Sequence, residues 1–124
     1  MTTGKETIIR AADKGSMQTT YSRYIFHLPA YSVTGSIGFF EGRFADTSMK
    51  YNLHFHKKMT EIFTVVQGEF YFVLGGKEYL FHEDDTAIIP PLVLHGFKPK
   101  LPGSRHYSRA FMKQLLCPQK GSYT

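Results

Sequence analysis

Apolar residues in this chain come in short runs closed by glycine or proline, and no stretch keeps the 3.6-residue period long enough for a major helix. Runs rich in Tyr, Phe, Val and Ile occupy residues 21–27, 32–44, 50–56, 61–67, 69–74, 78–82, 86–89, 92–97 and 105–116, which gives nine candidate strands. Gly75-Gly76 separates two alternating runs and fits the two positive-φ positions of a tight hairpin, so the flanking strands are expected to pair antiparallel. Pro29, Pro90-Pro91, Pro99 and Pro102 fall between runs or at their ends, where a missing ladder donor is tolerated. The fold class is therefore all-β with little helix. Residues 1–20, polar and rich in Thr, read as an N-terminal arm or one added strand, 21–116 as the folded body and 117–124 as a tail.

With 124 residues, 42% hydrophobic and 20% charged, the chain fits one globular domain and leaves no room for two. Its net charge of +5 is concentrated in residues 101–124, where Arg105, Arg109, Lys113 and Lys120 meet no acid. Residues 50–100 balance six acids against six bases. Nucleic-acid surfaces carry a denser basic stripe, so no nucleic-acid partner is expected. Nor is a membrane, because no apolar run approaches the roughly 18 residues of a span. The single cysteine, Cys117, excludes an internal disulfide and, beside Pro118, reads as an ordinary thiol. Residues 1–20 carry no signal-peptide core, and a cytoplasmic location is expected.

The chemistry concentrates in His54-Phe55-His56-Lys57-Lys58-Met59-Thr60-Glu61. Two imidazoles two residues apart share one face of a strand and can hold one ion. Glu61 follows at the distance of a tight turn, so the returning strand can bring its carboxylate beside them, and His95 supplies a third imidazole. Three nitrogens and one oxygen form a borderline donor set that suits Fe, Mn, Ni, Cu or Zn and poorly suits Ca or Mg. A face presenting these groups to an interior would be costly without an ion. His27, His82 and His106 lie outside the pattern and read as surface or satisfied core residues, with an orienting role behind the ligands left open for one of them.

These residues resemble the two motifs of the cupins, small double-stranded β-helix barrels. His54, His56, Glu61 and Gly68 fall in register on G-x5-H-x-H-x3,4-E-x6-G, with Ser48 in place of the opening glycine. Pro90 and His95 fall on G-x5-P-x-G-x2-H-x3-N, while Asp84, Leu92 and Pro99 replace its two glycines and its Asn. The resemblance implies a single-domain, jelly-roll-like barrel with one divalent transition metal held by His54, His56, Glu61 and His95. It also implies that Glu61 tunes the ion or shuttles a proton, the candidate catalytic role, and that the chain is a homodimer. Residues 37–40, apolar on both faces, agree with a strand buried in a subunit contact.

Strand parity predicts the neighbours of the site: Lys50 and Asn52 with His54 and His56, Phe63 and Val65 with Glu61, Val93 and Phe97 with His95. In residues 105–112 either the row Arg105, Tyr107, Arg109, Phe111 or the row His106, Ser108, Ala110, Met112 faces inward. If it is the first, Tyr107 and Arg109 join the pocket and the guanidiniums favour an anionic substrate. Two functions fit. One is a metal-dependent small-molecule enzyme of dioxygenase, isomerase or lyase type. The other is a non-catalytic ligand-binding or sensing module, since residues 61–95 also resemble the ligand-binding domain of arabinose-type transcription regulators.

Overall fold

Aromatic and β-branched residues at alternate positions give each strand one apolar face, and the strands close by turning those faces toward one another. The computed structural model describes residues 8–28 and 37–111. A 3-10 turn at Ala11–Asp13 precedes nine strands: β1 (Gly15–Gln18), β2 (Arg23–Leu28), β3 (Ile37–Phe44), β4 (Thr60–Gln67), β5 (Phe70–Leu74), β6 (Lys77–Phe81), β7 (Thr86–Ile89), β8 (His95–Pro99) and β9 (Ser104–Phe111). They form two antiparallel sheets, one of six strands ordered β1-β2-β3-β9-β4-β7 and one of three ordered β6-β5-β8. Among the described residues no helix is long and apolar enough to cross a membrane.

The β5–β6 hairpin turns on Gly75 and Gly76, with φ of 59° and 88°, and the strands pair from Leu74↔Lys77 to Phe70↔Phe81. The core between the sheets consists of Phe44, Phe63, Val65, Phe70, Phe72, Ala87 and Ile89. Each fully buried phenyl contributes about 2 to 3 kcal/mol of transfer free energy, and the rings meet edge-on or tilted at 4.9 to 5.7 Å for Phe63–Phe72, Phe63–Phe70 and Phe44–Phe70.

Two expected strands are corrected. Residues 50–56 form no strand: the segment's backbone pairs with the small sheet only at the His54↔His95 bridge, whose two hydrogen bonds measure 2.9 and 2.8 Å. The Asn52 carbonyl is taken by the His54 ring instead of by a ladder partner. Pairing in 92–97 starts only at His95, because Leu92 adopts φ 70° and donates its N–H to the His56 carbonyl at 2.7 Å. Residues 32–36 and 112–116 of two other expected strands, and the tail with Cys117, lie outside the described residues.

Candidate metal centre

Three segments deliver the central side chains. His54 and His56 come from the β3–β4 connection, Glu61 is the second residue of β4, and His95 opens β8. The bridge between His54 and His95 fixes their backbones face to face, and the ring centroids stand 4.4 Å (His54–His95), 4.9 Å (His54–His56) and 5.2 Å (His56–His95) apart. One nitrogen from each ring lies within 4.8 Å of the others.

Tautomers follow from the partners. The Nδ1–H of His54 donates to the Asn52 carbonyl at 2.7 Å, and that of His95 donates to the Val93 carbonyl at 2.9 Å. A carbonyl can only accept, so each neutral ring keeps its lone pair on Nε2. His95 Nε2 is buried and has no hydrogen-bond partner. Glu61 Oε1 stands 3.4 Å from it, the same separation as from His56 Nε2, an ion-pair distance longer than a good hydrogen bond.

Burial alone would raise the Glu61 carboxyl, but His95, the Ser108 hydroxyl and His56 together hold it below the usual carboxylate range. Burial lowers the His56 imidazole against the pull of Glu61, whereas at His95 Glu61 and the Val93 carbonyl outweigh burial and raise it. An ionised carboxylate thus stands beside two of the three clustered imidazoles, His56 and His95, while His54 and His95 are anchored from behind on carbonyls. That donor set, with an orphaned buried nitrogen in it, fits a divalent transition ion.

The site opens into a cavity of ≈ 340 Å³ whose wall is chiefly aromatic. Tyr24, Phe26 and Phe40 line it from the large sheet, Phe63, Phe72 and Phe97 from the core, and Met17 of β1 also reaches it. Of the residues expected there, Phe63 and Phe97 line the cavity with His54, His56, Glu61 and His95. Lys50, Asn52, Val65, Tyr107 and Arg109 do not. The first two depended on strand parity in a segment that is not a strand, and Asn52 is exposed. Val65 is fully buried in the core.

On β9 the row Ser104, His106, Ser108, Ala110 is buried and faces inward, which turns Tyr107 and Arg109 to the other face. On the outer face Arg105 meets Glu41 and Arg109 meets the Thr64 hydroxyl. No arginine therefore lines the cavity to select an anion. His106 and Ser108, which do line it, belong to the row that the sequence left open as the alternative inward face.

Residues 46–100 match the family model described as Cupin domain. No curated protein matches the chain. Among solved structures, KdgF from Halomonas sp. is similar at TM-score 0.75 and 16% identity, over 89% of this chain and 96% of that one. FeII HppE is similar at TM-score 0.73 and 14% identity, over 85% of this chain and 60% of that one. Pac13, a nucleoside dehydratase, is similar at TM-score 0.69 and 10% identity, over 89% of this chain and 85% of that one. At such identities the likeness is one of fold.

Proposed function

Taking the chain as a protein of cupin fold, we propose that it is a metal-dependent enzyme acting on a small molecule that coordinates the ion in the barrel cavity. The observation that carries this is the buried, unpartnered Nε2 of His95 among two further imidazoles and an ionised carboxylate. His54, His56, His95 and Glu61 would hold one divalent Fe, Mn, Ni, Cu or Zn ion. When bound, the ion supplies Lewis acidity toward a substrate carbonyl or enolate, or redox chemistry, which spans the isomerase, lyase and dioxygenase classes. The chain's own residues do the rest. Asn52 and Val93 carbonyls orient the imidazoles, the aromatic wall excludes water and grips an apolar substrate body, and Glu61 accepts or returns a proton at its carboxylate. The enzymatic reading is supported by fold neighbours that include a nucleoside dehydratase and a protein described with FeII. The partly buried Phe39 and Phe111 on the outer face agree with a homodimer, for which light scattering should give the mass of two chains.

The test is metal content by inductively coupled plasma mass spectrometry, on tag-free protein purified without chelators. About one equivalent of a transition metal is expected, lost on His54→Ala while the far-ultraviolet spectrum stays unchanged. A protein that is empty and takes up none of the five metals when they are added would overturn the proposal. The cavity would then be an organic-ligand site of a binding module.

A further inference from the structure

We infer that Gly96 is a positioning residue of the metal centre: its missing side chain lets the Asn52 carbonyl, which holds the His54 ring, lie against β8, where Tyr51 and Lys98 clamp the segment. The inference rests on reading the site as a metal centre and adds to it residues outside the ligand set.

Residues 50–56 carry two of the four candidate ligands without the support of a ladder, since their backbone pairs with β8 at one bridge alone. Counting outward from the His54↔His95 bridge sets Leu53 opposite Gly96 and Tyr51 opposite Lys98. The chain makes a close contact at each place. A Cβ on Gly96 would lie 2.9 Å from Leu53 Cδ2 and 3.1 Å from the Asn52 carbonyl oxygen, so any side chain there would press on both. The Leu53 methyl can swing away, because Leu53 is 47% exposed. The carbonyl has less freedom: it accepts the Nδ1–H of His54 at 2.7 Å, and moving it releases the ring.

The second contact secures the start of the segment. The Tyr51 hydroxyl donates to the Glu78 carboxylate on β6, and Lys98 Nζ stands 4.6 Å from the Tyr51 ring centroid and 5.5 Å from that of Tyr71. Tyr51 is thereby tied to β6 and β8 directly and to β5 through Lys98, which covers all three strands of the small sheet. An unrestrained neutral imidazole can carry its proton on either nitrogen, whereas the Asn52 carbonyl keeps it on Nδ1 and leaves the Nε2 lone pair for an ion. Groups behind a metal's ligands typically set affinity by about 10- to 100-fold.

The test is Zn(II) affinity of the metal-free protein by isothermal titration calorimetry, with Tm measured on the same samples. The His54 tautomer is read in alkaline buffer from long-range proton–nitrogen correlations of its ring, assigned by their loss in His54→Ala. Gly96→Ala should weaken Zn(II) binding about 10- to 100-fold with Tm nearly unchanged, and His54 should no longer be held as the Nδ1–H form. The double variant Leu53→Ala/Gly96→Ala should stay weak, since it relieves the methyl contact and not the carbonyl one. Tyr51→Ala, a surface change, should weaken binding about 3- to 10-fold. Wild-type affinity or an unchanged His54 tautomer in Gly96→Ala would overturn the inference, as would recovery in the double variant or affinities that simply follow Tm. A wild-type protein that binds no Zn(II) while His54 keeps its Nδ1–H would overturn the metal centre instead, so the two failures are distinguishable.

Discussion

Glu41 and His106 are buried on opposite faces of the same sheet, one register step apart on β3 and β9, where Glu41 pairs with Tyr107 and Gly42 with His106. On the outer face Glu41 Oε2 accepts from Arg43 Nε and from Arg105 Nε and Nη2, each at 2.7 Å, while Oε1 meets His27 Nε2 at 2.8 Å. Lys14 Nζ lies 2.8 Å from His27 Nδ1 and ties the chain before β1 to the cluster. Burial alone would raise the Glu41 carboxyl, but these donors bring it down to about 2. On the inner face no opposite charge reaches His106 at contact distance among the described residues. Burial wins there and pushes the imidazole down to about 4. Burial gives a charged cluster on one face and a neutral imidazole on the other, and the number of converging charged partners decides which.

The largest effect should come from breaking the outer cluster. Arg105→Ala removes two of the donors on Oε2 and leaves a buried carboxylate undercompensated, which should cost about 3 to 5 kcal/mol in urea unfolding. Metal affinity should stay unchanged, because the cluster faces away from the cavity. A cost below about 1 kcal/mol would mean that the charge on Glu41 does not depend on its partners.

Acid unfolding should separate the two faces. Glu41 moves from 4.5 to about 2 on folding, so its stabilisation is complete above pH 4.5 and lost as pH falls through about 2, some 3 kcal/mol in all. His106 moves from 6.5 to about 4. The unfolded chain takes that proton first, so stability present above pH 6.5 is lost as pH falls toward 4, again about 3 kcal/mol. Urea midpoints of the metal-free protein against pH should show both windows. Glu41→Gln should flatten the lower one and His106→Leu the upper one. A single variant that flattened both would show that the faces are not independent.

What was legible in the sequence was what local pattern controls. Gly75-Gly76 marked its hairpin because two consecutive positive-φ residues have few other uses. His54, His56 and His95 could be grouped because their spacing on two chain segments is itself the constraint. The inward row of β9 was not legible, since alternation is identical for either row. It is settled by Glu41, 64 residues from Arg105 in the chain, which collects that arginine on the outer face. Lys50 and Asn52 were misplaced for a related reason: residues 50–56 alternate like a strand but make a single bridge, so parity does not carry along them. His106 could not be told apart from His27 and His82 because its setting, five phenyl rings from β3, β4, β5 and β8, exists only after folding.

The smallest effect should come from the backbone, outside both faces. Asp84 and Leu92, which replace the two glycines of the second cupin motif, keep the left-handed conformation a glycine would adopt, at φ 72° and 70°. Each is held there by a hydrogen bond, Asp84 N–H to the Val65 carbonyl at 2.9 Å and Leu92 N–H to the His56 carbonyl at 2.7 Å. Left-handed φ costs a branched side chain about 1 to 2 kcal/mol, and an Asp less, against the 0.5 to 1 kcal/mol of unfolded-chain entropy that glycine adds. Leu92 is 68% exposed and gives up little burial. Leu92→Gly should therefore stabilise by about 0.5 kcal/mol and Asp84→Gly should be nearly neutral. Since neither position touches Glu41 or His106, the gain at Leu92 should be the same at pH 7 and pH 5 by urea unfolding. A gain that shrinks at pH 5 would mean that the His56 carbonyl carries strain from the turn into the inner face, and that the two faces differ in what they are coupled to as well as in charge.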